Sequence, residues 1–139
     1  MARYFVQLKC SLMPYLYAKA VEAHEDGTPV MRPMVFAFED DPACQTLDMQ
    51  YMLGESLLTA PIFSEDGSAA WYLPEGTWTN YLDGTVKEGG RFYKDRFDYF
   101  SLPLYVRENT LLAVGSVTER PDYDYAASSV LHLFALKDG

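Results

Sequence analysis

"AAWYLPEGTWTNYLDGTVKEGGRFYKDRFDYFSLPLYVRENTLLAVG", residues 69–115, decides the fold. It is built of short aromatic and β-branched runs: "AAWYLP", "TWTNYLD", "GRFYKD", "YFSLPLYVR" and "TLLAVG". Turn-formers separate them: "PEG", "DGTVKEGG" and "REN". Runs this short, punctuated by Gly, Pro, Asn and Asp, predict antiparallel strands, most simply a small β-sandwich. "NYLDGT" carries a DG turn between strand-formers and predicts a hairpin. "EGGR" lacks the Lys–Ser/Thr and helix of a phosphate loop. "SLLTAPIFS", upstream, has the same strand-like composition.

Downstream, residues 116–129 are polar and loop-like. "VLHLFALKDG", residues 130–139, alternates like one more strand, with no return partner for its edge. Upstream, apolar residues Phe5, Leu8, Leu12, Leu16, Ala20 and Ala23 recur at helical spacing and predict a helix over residues 3–25. Pro14 removes a hydrogen bond inside it and predicts a kink, at a cost of about 3 kcal/mol unless packing compensates. Gly27 supplies a left-handed cap and Pro29 a second stop.

"VMRPMVFAF", residues 30–38, is almost wholly apolar, which predicts a strand buried on both faces, as in a parallel sheet. Pro33 and Arg32 disagree with that reading, because Pro cannot donate to a ladder and a buried Arg requires a carboxylate. "DDPACQTLDMQYMLG", residues 40–54, predicts a short helix ending at Gly54, with Asp40 or Asp41 as its N-cap and Pro42 in its first turn. Helix, strand, helix is a slice of an α/β architecture. The acidic run Glu39, Asp40 and Asp41 has two readings: carboxylates gathered for catalysis past a buried strand, or a helix cap.

The 139 residues, 49% hydrophobic and 15% aromatic, suffice for an ordinary globular core. A net charge of −9 argues against nucleic acid and anionic membrane surfaces as partners. Cys10 and Cys44 allow one disulfide by arithmetic, but two cysteines fit reduced, partly buried thiols in a cytoplasmic protein. No CxxC or Cys/His cluster is present, so no metal or cofactor is expected. The N-terminal stretch has no apolar run long enough for a signal sequence or a membrane span.

His24 suits the dipole at a helix end. His132 alternates with Leu131 and Leu133, which predicts the solvent face of a strand. Neither has a partner at catalytic spacing. Trp71, Tyr72, Trp78 and Tyr81 are candidates for stacking on sugar rings, although packing in the sandwich core is the favoured reading of them.

Longer runs add a resemblance. "FVQLKCSLMPYLYAKAVEAHEDGTPVMRPMVFAFEDDPACQTLDMQYMLGESLLTAPIF" resembles the end of the catalytic barrel in glycoside hydrolase family 31, and "WYLPEGTWTNYLDG" and "FDYFSLPLYVRENTLLAVGS" resemble the β-domain that follows it. "QLKCSLMPYLY", "DDPAC", "QYMLG", "LPLYVRENTLLA", "RPDYDY" and "HLFALKDG" are closest to its bacterial α-xylosidase branch. The resemblance implies a retaining α-glycosidase on a (β/α)8 TIM barrel, with an Asp nucleophile and an Asp acid/base about 5–5.5 Å apart. Both would lie upstream of this sequence, so no catalytic, cofactor or metal residue is expected here.

The fold class it implies is α/β plus all-β. Residues 1–56 would be the end of the barrel, with strand eight at 30–38 and a helix on each side. Residues 57–115 would be a proximal β-sandwich, and 116–139 the start of a distal β-domain. Asp40 and Asp41 would form a structural turn, with Glu39 where the family often has Pro. The implied partner of the full-length enzyme is an α-xyloside or α-glucoside, with no nucleic acid and no membrane. That enzyme is expected to be a cytoplasmic homo-oligomer. The chain alone is expected to be inactive and structural. A free-standing carbohydrate-binding module and a subunit-docking β module are the alternatives.

Overall fold

A computed structural model describes residues 2–127 and 129–136. The chain divides into two compact units, Met1–Val30 with Leu111–Leu133, and Met31–Thr110 with the stretch from Phe134.

In the first unit the predicted kinked helix is two helices, α1 (Ala2–Ser11) and α2 (Met13–Asp26), broken at Leu12. The cause is Pro14, which has no N–H to offer the Cys10 carbonyl one turn back. That carbonyl instead accepts the Tyr123 hydroxyl at 2.5 Å. The neighbouring Ser11 carbonyl accepts the Gly115 amide at 2.7 Å. A Cβ at Gly115 would run into the Tyr123 ring, so only glycine lets the two segments approach. α2 ends as expected at Gly27 (φ 80°), whose amide bonds the Ala23 carbonyl.

The second unit is mostly antiparallel β. Its strands are β1 (Met31–Pro33), β2 (Tyr51–Leu53), β3 (Leu57–Thr59), β4 (Ser68–Leu73), β5 (Thr77–Asn80), β6 (Val86–Glu88), β7 (Arg91–Arg96) and β8 (Leu104–Arg107). Six form one sheet in the order β1-β2-β3-β8-β5-β6, and β4 pairs with β7 over six residue positions. β9 (Thr110–Val114) and β10 (Val130–Phe134) pair with each other, so the last strand does have a return partner.

Two expectations for residues 30–54 are corrected. The strand expected over residues 30–38, and with it the eighth barrel strand, is three residues long. It pairs antiparallel with β2 and gives way at once to the single helical turn α3 (Met34–Ala37). Pro33, which lacks a donor, sits at the last paired position. The helix expected to end at Gly54 is a 3-10 turn, Pro42–Thr46, followed by β2. In β2, Met52 is buried between half-buried Tyr51 and Leu53, a period of two. The pairings among β1 to β8 are all antiparallel.

The core of this unit gathers Met34, Cys44, Met52, Leu58, Trp71, Leu73, Trp78 and Tyr105. Trp71 stacks on Tyr105 of β8 and Tyr93 of β7, joining the β4–β7 ribbon to the larger sheet. Gln50 is buried, and its side-chain amide both donates to the Tyr72 carbonyl and accepts from the Tyr72 amide, each at 2.7 Å. It thereby acts as one rung of a missing strand beside β4.

Candidate functional site

The acidic stretch resolves residue by residue. Asp41 is the N-cap of the 3-10 turn: one carboxylate oxygen accepts the Ala43 amide at 3.0 Å. The other accepts the Tyr72 hydroxyl at 2.7 Å. Both oxygens are therefore committed to holding the turn against β4, while Glu39 and Asp40 are exposed beside it.

Cys44, fully buried, lies next to this cap. Burial first, then the charge of Asp41 and a hydrogen bond to it, push the Cys44 thiol up from 9.0 to about 11. Burial, reinforced by Asp41, pushes the Tyr72 hydroxyl up to about 12. A thiol so protonated is no nucleophile near neutral pH. Cys10 is likewise a buried free thiol.

The other candidates are structural or surface groups. Trp71 and Trp78 are buried in the core, and the Trp78 indole donates to the Pro74 carbonyl at 2.7 Å, so neither offers a face to a sugar. Tyr72 is buried, and Tyr81 is half-buried with its ring 6.2 Å from that of Phe134. His24 is exposed in the last turn of α2. On β10 the expectation is reversed: Leu131 and Leu133 are the exposed residues and His132 is half-buried. Among the described residues no cluster of three or more His, Cys, Asp or Glu side chains could hold a metal ion. No described helix is long and apolar enough to cross a membrane.

Around the Asp41 turn a cleft of about 1070 Å³ opens, lined by Phe36, Glu39, Asp40, Glu75 and Arg107 among others. Phe36 is 57% exposed because the helical turn α3 rotates it outward from a run that reads as buried strand. The Arg107 guanidinium lies 4.9 Å above the Phe38 ring. On another wall Gly89 approaches the Pro74 carbonyl so closely that a Cβ there would collide with backbone. Sequence reasoning missed Phe36 and Arg107. The available signal was Pro33, which ends the strand three residues before Phe36.

The described residues thus offer no nucleophile–base pair and no metal centre, but a capped turn, an open cleft and a two-layered β unit. The sequence model of the "Glycosyl hydrolase family 31 C-terminal domain" matches residues 27–112. The alpha-xylosidase XylQ of Lactiplantibacillus pentosus is 40% identical over 94% of this chain, and an alpha-xylosidase of Emericella nidulans 39% identical over 84%. The chain spans 18% of the length of the first and 16% of the second. Among solved structures, the GH31 dextranase of Flavobacterium johnsoniae complexed with glucose matches 78% of this chain and 14% of its own, with a TM-score of 0.74 at 30% identity. The cycloalternan-forming enzyme of Listeria monocytogenes matches 81% of this chain and 11% of its own, with a TM-score of 0.76 at 31% identity. A match that begins at residue 27 takes in β1 through most of β9, the antiparallel array itself, and the chain belongs to glycosyl hydrolase family 31 through that C-terminal domain.

Proposed function

We propose that this chain is the C-terminal part of a retaining α-glycosidase that removes terminal α-linked xylose, or glucose, from oligosaccharides and glycosides. Its own role is structural, and the catalytic carboxylates belong to a barrel outside it. The observation that carries the reading is Asp41: the best-placed carboxylate has both oxygens engaged in holding its own turn. A retaining mechanism needs two carboxyl groups facing each other across the glycosidic bond. The similarity to two α-xylosidases supports xylose as the sugar. The division expected from the sequence stands here as a proposal. Its expected bounds are 1–56, 57–115 and 116–139. The first boundary is moved in this proposal, so that α1 and α2 close the barrel, the proximal β-domain starts at β1 and residues from 116 open a distal one. A cytoplasmic homo-oligomer is part of the same proposal.

Aryl α-xylosides and aryl α-glucosides test it. The chain alone is expected to release no chromophore, and the enzyme that carries it is expected to turn over the xyloside faster. Turnover by the chain alone that disappears in Asp40→Asn or Asp41→Asn would place catalysis here and refute the structural role.

A further inference from the structure

We infer that the cleft beside residues 36–42 is an auxiliary, non-catalytic binding site for a neutral oligosaccharide. It would seat a pyranose ring against Phe36 and bond its hydroxyls to Glu39, Asp40, Glu75 and Arg107. The choice of a sugar among neutral polyols rests on the glycosidase reading. The site itself rests on the cleft.

The volume, about 1070 Å³, is at the upper end of ordinary small-ligand clefts and leaves room for more than one ring. Phe36 presents a large apolar face to water at the cleft, and the C–H face of a pyranose is its natural cover. The polar groups divide by hydrogen-bonding role. Glu39, Asp40 and Glu75 are exposed carboxylates that only accept, and Arg107 only donates. A sugar hydroxyl does both, so one ligand serves both kinds of group. Packing of the Arg107 guanidinium on the Phe38 ring limits its freedom and lowers the entropy lost on binding.

Charge selects against the alternatives. Three exposed carboxylates repel phosphates and acidic sugars. The acids do not converge as metal ligands. Three exposed acids outweigh the one Arg107 and leave a pull on cations, so spermidine is the competitor included in the test. A neutral polyol meets no repulsion and pairs with the acids and with Arg107 alike.

The test uses this chain with an α-xylosyl-glucose disaccharide and with maltotriose, read by saturation-transfer NMR and calorimetry. Binding is expected, with transfer strongest at the ring C–H protons. Phe36→Ala and Glu75→Gln are each expected to weaken it about five-fold or more while melting temperature is unchanged. Both residues are exposed, and either variant alone suffices if the other folds poorly. No transfer at millimolar sugar, affinity unmoved in both variants, or preference for spermidine over sugar would each overturn the site. Turnover of an aryl α-xyloside by the unsubstituted full-length enzyme tests the glycosidase reading separately. Turnover without sugar in the cleft overturns the cleft alone. Sugar in the cleft without turnover upholds the cleft and overturns only that reading.

Discussion

Asp41 shows how a carboxylate can look catalytic in a sequence and prove to be a fastener. It satisfies an amide left open at the start of a 3-10 turn and anchors the Tyr72 hydroxyl. Asp41→Ala removes a cap and a hydrogen bond together, and is expected to cost about 2 kcal/mol in a denaturant titration. The same pocket makes Cys44 a reporter. Its raised thiol pKa means that the folded state holds a proton which the unfolded chain gives up near 9. The stability from keeping it protonated is complete below about pH 9 and is lost as pH rises through about 11. Cys44 should therefore resist a disulfide-exchange reagent at pH 8 in the native chain and react faster, though still slowly for a thiol, in Asp41→Ala, which removes the lesser causes and leaves the burial. At this scale the sequence was informative where local chemistry decides. An Asp before Pro42 reads as a cap from its neighbours alone. That Tyr72 takes its second oxygen depends on a strand 31 residues away, which no spacing reveals.

Among elements, the break at Leu12 is the most instructive. Pro14 was legible as a flaw in the helix, but not what would use the carbonyl it leaves open. The Tyr123 hydroxyl takes it. Tyr123→Phe leaves the Cys10 carbonyl without that donor and is expected to cost about 1 kcal/mol, read as a lowered melting temperature. The strands β4, β5, β7, β8 and β9 were legible because aromatic runs and Gly turns are local signals. β2 was not. Its "YML" alternates for only three residues, too few to outvote a capped start at Asp41 and Pro42. β6 was hidden in what reads as a long turn, and only pairing with β5 makes it a strand. Gln50, which stands in for a strand with one side chain, has no sequence signature.

For the molecule as a whole, exposed apolar side chains occur along much of the chain, and the β9–β10 pair carries four of them: Leu111, Val130, Leu131 and Leu133 are each more than half exposed. Such a patch makes a lone chain prone to associate. Leu131→Lys with Leu133→Lys is expected to lower hydrophobic-dye binding and self-association while changing unfolding free energy by less than about 0.5 kcal/mol, as exposed positions do.

The bond between Tyr123 and Cys10 joins positions 113 apart in the chain. On a ribosome adding about 5–20 residues per second, α1 and α2 emerge roughly 6–20 s before their tyrosine is made. Most of the antiparallel unit, Met31–Thr110, is encoded between the two, and only its stretch from Phe134 is made later. The first unit therefore cannot close before residue 123 is made, and a nascent chain stalled there should carry largely formed β pairings while its helices are still exposed to proteases and chaperones.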